Sequence, residues 1–174
     1  MNSLETQFPN LKLFCHMDWE DVTREYETHY IDISFPEYLQ QKAIDGDCPD
    51  YLFELAYYEL ALNQARTLKI TYPYLPGIYL NPSALFLSLE YDIPTMLSLA
   101  EKEGPSLIER SIYLCIYQDT QGEARVHELS YDELQILQIL ENGPAFNYQV
   151  FDDFKPDLLG QLSRSEIVLD LLKN

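Results

Sequence analysis

Apolar positions recur with a helical period from about residue 18 to residue 66 of the 174-residue chain and with a strand-like period over much of the sequence beyond about residue 78. Residues 1 to 14 show neither period and are expected to form a loosely held lead-in. From Asp18 to Tyr30, the residues Trp19, Val22, Tyr26 and Tyr30 fall three or four apart, which predicts one helix. Ser34-Phe35-Pro36-Glu37 places a capping serine ahead of a first-turn proline and an acid, so a second helix is expected to start there and to stop at Asp45-Gly46. Cys48-Pro49-Asp50 then opens a helix from Tyr51 to Arg66, with Leu52, Leu55, Ala56, Glu59 and Leu62 on one face.

Thr71-Tyr72-Pro73-Tyr74-Leu75-Pro76-Gly77 cannot continue a helix, because two prolines remove backbone donors and fix φ, and it is expected to connect two modules. Beyond it, the apolar stretch 83–91 and the β-branched, aromatic stretch 111–118 predict strands. Asp119-Thr120-Gln121-Gly122 is a hairpin turn by composition, and 123–129 alternates polar and apolar residues as a half-exposed return strand does. Ser130-x-x-Glu133 is a capping box that leads into Leu134, Ile136, Leu137 and Leu140, with Asn142-Gly143-Pro144 as the stop. A last helix is expected from Asp157 to Leu172. The pattern as a whole predicts an α+β protein: a helical module at 1–70 joined by a proline-rich connection to an antiparallel-sheet module with packed helices at 78–174.

Composition supports a folded chain, since 47% of residues are apolar and 13% aromatic, well above a disordered acidic sequence. Charge narrows the partners. The formal charge is −18, and it is spread evenly: residues 1–66 hold 4 basic and 13 acidic side chains, the rest 7 and 16. Nucleic acid and anionic lipid both require a cationic face that displaces counterions, so neither is an expected partner. No secretory signal pattern and no apolar run near the roughly 20 residues of a membrane span are present, and the expected location is the cytoplasm. The three cysteines, Cys15, Cys48 and Cys115, are odd in number and widely spaced, which predicts reduced thiols.

Catalytic chemistry finds little footing. Cys15-His16 has no second pair at metal-finger spacing, Glu25 and His29 describe a solvated pair one turn apart as well as they describe a metal site, and His127 on an alternating strand is expected to be a surface imidazole. The glycines are isolated and no serine sits in a nucleophile elbow, so a phosphate loop and an acyl-transfer site are both unsupported. Glu59, an acid within an apolar helix face, is expected to be buried, either with a raised pKa or paired structurally; pairing is the commoner outcome. Among the fourteen tyrosines, Tyr57, Tyr58, Tyr72, Tyr74 and Tyr79 are candidates for a partner interface, and they equally suit a packed junction between modules.

Three segments go further. Pro49 to Ala61 contains the pattern Tyr-Leu-x-x-Leu-Ala-x-x-Glu-x-Ala; Leu80 to Pro94 carries an Asn-Pro step before an apolar strand; and the strand pair from Ile112 to Leu129 is followed by the helix 131–140 and Asn142-Gly143. In this order they resemble the HvfC/BufC family, whose methanobactin-type members have a similarly short helical part. The resemblance implies a subunit without its own catalytic residues, metal or cofactor, which partners a multinuclear non-haem iron oxidase and helps present a ribosomally made precursor peptide. The iron would lie in the oxidase. An extended leader can add to a sheet edge, and the strand residues Ile112, Tyr113, Leu114, Ile116, Tyr117, Arg125, Val126 and His127 are the candidates for that edge. An older label of the family, a DNA-binding domain, suggests a transcriptional regulator instead; the charge of −18 opposes it. A third class, an enzyme using Glu59 and a nearby histidine, requires a pocket that joins them.

Overall fold

The computed structural model describes residues 4–15, 17–30, 32–155 and 157–172. Its elements, in chain order, are α1 (Leu4–Gln7), α2 (Leu11–Phe14), α3 (Trp19–His29), α4 (Phe35–Ile44), α5 (Asp50–Thr67), β1 (Ile78–Leu80), β2 (Leu85–Tyr91), α6 (Ile93–Glu103), β3 (Glu109–Gln118), β4 (Ala124–Glu128), α7 (Tyr131–Glu141), α8 (Leu158–Arg164) and β5 (Val168–Asp170), with a 3₁₀ turn at Tyr148–Phe151. The protein is α+β. Two compact units divide the chain, one comprising Met1–Asn63 with Ser88–Ile112 and the other Gln64–Leu87 with Tyr113–Asn174. The division passes through α5, β2 and β3.

The first unit starts tighter than its sequence suggests. Phe8, Leu11 and Phe14 are only 1–2% exposed, so the lead-in expected to be loose is held. Its apolar residues find the aromatic face that α3 and α4 present: Phe8, Trp19 and Tyr26 all lie against the Phe35 ring at centroid distances of 5.3, 5.9 and 4.9 Å. Polar ties from α5 complete the hold, with Asn63 Nδ2 donating to the Gln7 carbonyl at 2.6 Å and Tyr51 Oη donating to that of Phe14 at 3.1 Å. The helix ends follow local chemistry. Asp18 accepts from the Glu20 and Asp21 N–H groups ahead of α3, and Ser34 and Glu37 close a reciprocal capping box at α4. Helix α6, absent from the sequence expectation, is started by Asp92, whose side chain accepts from Thr95 N–H, and Pro94 occupies its first turn.

In the second unit, β1 pairs antiparallel with β5, and β3 pairs antiparallel with β4. The larger sheet has the order β2-β3-β4. Asp92 N–H donates to the Ile108 carbonyl at one end of the β2–β3 pair and Ser83 Oγ accepts from Gln118 N–H at the other, so these two strands are also antiparallel. Ile78, Cys115, Ile136, Leu137, Leu162, Ile167 and Val168 form the heart of this unit's core. Asn81, almost fully buried, ties three segments together: its amide donates to the Gln118 and Glu166 carbonyls, and its Oδ1 accepts from Ser83 N–H and Oγ–H.

The predicted helix from Asp157 to Leu172 is overturned. α8 ends at Arg164, and the chain turns into β5 through Glu166, whose φ is +62°. Glu166 N–H bonds the Ser163 carbonyl and Ile167 N–H bonds that of Leu162, a Schellman stop in which Ile167 and Leu162 are both fully buried.

Candidate functional site

The register of β3 and β4 decides which backbone groups face a possible added strand. Leu129 N–H donates to the Tyr113 carbonyl and Asp119 N–H to that of Glu123, and the pairs between run Cys115 with His127 and Tyr117 with Arg125. In an antiparallel ladder, bonded and non-bonded pairs alternate. Arg125 and His127 therefore spend their backbone groups on β3, whereas Ala124 and Val126 turn theirs away from it. Val126 is 38% exposed.

This corrects the candidate edge. β3 is the central strand, with β2 and β4 on its two sides, so Ile112, Tyr113, Leu114, Ile116 and Tyr117 have no open backbone edge to offer a peptide. Of these only Tyr113 exposes much of its side chain; Ile112, Leu114, Ile116 and Tyr117 are buried. The other outer strand, β2, is engaged at its far end, where the Glu54 carboxylate from α5 accepts the Glu90 and Tyr91 N–H groups at 3.0–3.1 Å. Burial raises the Glu54 pKa, while those backbone bonds pull it the other way. β4 is thus the outer strand with outward-turned backbone.

His127 is not the surface imidazole expected. It is half-buried, and its Nε2 lies 3.1 Å from Glu133 Oε1. Glu133 also receives Ser130 N–H and Oγ–H on Oε2 as the α7 capping box. Burial alone would raise the Glu133 pKa, but the Ser130 and His127 contacts hold it below the ordinary value. The sequence signal for the box was complete; the second oxygen's engagement with β4 was not legible locally. At the hairpin, Asp119 accepts from the Gln121 and Glu123 N–H groups and from Arg125 Nε at 2.7 Å. These bonds turn the Arg125 side chain toward the turn.

The tyrosines scatter. Tyr57 and Tyr58 belong to α5, where Tyr58 is buried and Tyr57 half-buried with its hydroxyl 3.3 Å from Gln40 Oε1. In the other unit, Tyr72 donates to the Asp119 carbonyl and Tyr79 is half-buried, whereas Tyr74 is 89% exposed. Glu59 is 3% exposed. Its Oε1 accepts from Asn10 N–H at 2.9 Å and from Asn10 Nδ2 at 2.8 Å, and its Oε2 has no hydrogen-bond partner. Burial raises its pKa against the pull of the Asn10 donors and the nearby Leu11 N–H.

Glu25 faces Lys42 at 2.8 Å and Tyr38 Oη at 3.1 Å, while His29 is exposed; His16 lies outside the described residues. Burial pushes the Cys48 thiol up to about 11 and that of Cys115 up to about 12, and it raises Cys15 as well, so none is an activated thiolate. Among the described residues, no three His, Cys, Asp or Glu side chains gather as a metal site, and no helix is long and apolar enough to cross a membrane. No family model matches the chain, and no curated protein matches it.

Proposed function

We propose that this chain is a cytoplasmic, non-catalytic subunit that binds an extended peptide along the outer edge of β4. Following the resemblance of residues 49–61, 80–94 and 112–143, its partner is a multinuclear non-haem iron oxidase and the peptide is the leader of a ribosomally made precursor. The observation that carries the peptide role is the outward orientation of the Ala124 and Val126 backbone groups on the outer strand of the β2-β3-β4 sheet. Backbone bonds to such an edge supply affinity that is independent of sequence, and the alternating side chains of the added strand select it. The net charge of −18 favours a leader that carries Lys or Arg, mainly through encounter rate and rejection of acidic competitors. DNA remains disfavoured on the same charge.

Val126→Pro tests the edge directly. It removes an N–H that points away from β3, so the β3–β4 ladder keeps its bonds and a proline on an outer strand is tolerated. Co-expression with a genomically adjacent oxidase and precursor, followed by affinity capture and mass spectrometry, is expected to recover a complex. The variant should hold the oxidase but lose the precursor by at least tenfold. Recovery of neither partner with the wild-type chain, or undiminished precursor with Val126→Pro, overturns the proposal.

A further inference from the structure

Residues between Tyr148 and Arg164, all in the second unit, line a cavity of about 550 Å³. That size lies within the range of ligand-binding clefts, roughly 300–1,000 Å³. Its apolar side is supplied by Phe151, buried in the core of that unit, and by Phe154 and Leu159, which pack half-buried against the same core. The charged lining is balanced, Asp152 and Asp157 against Lys155 and Arg164, so the cavity as a whole selects neither a cation nor an anion.

Two of those charges stand side by side. Asp157 Oδ1 and Arg164 Nη2 are 3.4 Å apart, a long contact for a charge-assisted bond. Among the described residues the Arg164 guanidinium bonds Asp157 alone, which leaves most of its five N–H donors for a second carboxylate. Asp157 accepts from Gln161 Nε2 at 3.0 Å on its other oxygen, and the Gln161 and Arg164 contacts hold its carboxyl below the ordinary range, so it is an anion at neutral pH. The helix surface beside the two groups is bare. A Cβ on Gly160 would lie 3.5 Å from both Arg164 Nη1 and Asp157 Oδ1, so a group resting on Gly160 meets both charges at once.

A cation at that point is repelled by Arg164 and an anion by Asp157, whereas a neutral apolar molecule leaves both charges unused. A molecule with an ammonium and a carboxylate on one carbon answers both. We infer that this cavity binds a free α-amino acid with an aromatic or large aliphatic side chain. Its carboxylate accepts from Arg164, its ammonium donates to Asp157, and its side chain lies on Phe151, Phe154 and Leu159, where an aromatic ring finds edge and face partners. The site depends neither on the β4 edge nor on an oxidase.

The test is calorimetric titration of the full chain with L-phenylalanine. Three controls each lack one part of it: phenylethylamine the carboxylate, 3-phenylpropionate the ammonium and glycine the side chain. L-phenylalanine should bind with a Kd of about 1 mM or tighter, and at least tenfold tighter than every control. Arg164→Gln, at an exposed position, should melt like wild type and weaken L-phenylalanine at least tenfold, to the level of phenylethylamine. Gly160→Leu places a side chain beside both charges at ordinary contact distance; it should melt no lower than wild type and bind L-phenylalanine at least tenfold more weakly. Val126→Pro should leave the binding unchanged. The inference is overturned if L-phenylalanine does not bind, if any control binds as tightly, or if a folded Arg164→Gln or Gly160→Leu binds it like wild type. Should either variant melt lower, the three controls decide the matter on the wild-type chain.

Discussion

In buried Glu59 one carboxylate oxygen accepts two hydrogen bonds and the other accepts none, so burial penalises its charged form more than its neutral form. Its pKa in the folded protein is raised, so between the unfolded value of about 4.3 and the folded one the native state binds more protons than the unfolded state. Stability from this group is present below the unfolded value, declines as pH rises through the folded value, and is flat above it. Glu59→Gln keeps a carbonyl acceptor for Asn10 and removes the titration. The difference in urea-unfolding stability, variant minus wild type, should therefore grow with pH across that window and then level; Glu54, also raised, is present in both proteins and cancels. Parallel profiles would show that Glu59 ionises as freely in the fold as out of it. The sequence marked Glu59 because an acid interrupted an apolar face, but its partner Asn10 lies 49 residues away and carries no local mark.

At the scale of elements, the helix starts were legible and the stops less so. Ser34 and Ser130 each precede an acid at the third helical position, and both boxes form. The end of α8 was hidden because its left-handed residue is Glu166 rather than glycine. The strain there is offset by its carboxylate, which accepts from Thr120 N–H at 2.6 Å and from Thr120 Oγ1 at 3.0 Å. Glu166→Ala and Glu166→Gly both lose those bonds, but only glycine relieves the backbone. Denaturant melts should place the glycine variant about 1 kcal/mol above the alanine variant; equal stabilities would mean that Glu166 carries no left-handed cost. Helix α6, which the sequence reading did not include, begins directly after β2 with Asp92 as its cap and Pro94 in its first turn. The same limit applies to the candidate edge: β-branched and aromatic composition identified β3 and alternation identified β4 as strands, yet which of them lies outermost depends on β2, a pairing that no local pattern encodes.

For the whole molecule, 29 acids against 11 bases make self-repulsion a global term that favours expansion, and it is only partly relieved by pairs such as Asp92 with Arg110 and Asp119 with Arg125. Raising NaCl from about 10 mM to about 150 mM shortens the Debye length from roughly 30 to 8 Å and should raise the thermal midpoint. A midpoint that falls with added salt would mean that these pairs outweigh the repulsion. Read alone, the chain specified its class, the helices from Asp18 to Arg66, the β3–β4 hairpin and its acidity, because each rests on period, capping or composition within a short window. Tertiary structure alone decided that residues 4–14 are held, that β3 is central, that β5 replaces the end of a helix and that Gly160 borders a cavity. Each of those depends on a partner distant in sequence, and burial against such a partner outweighs the local preference of the residues involved.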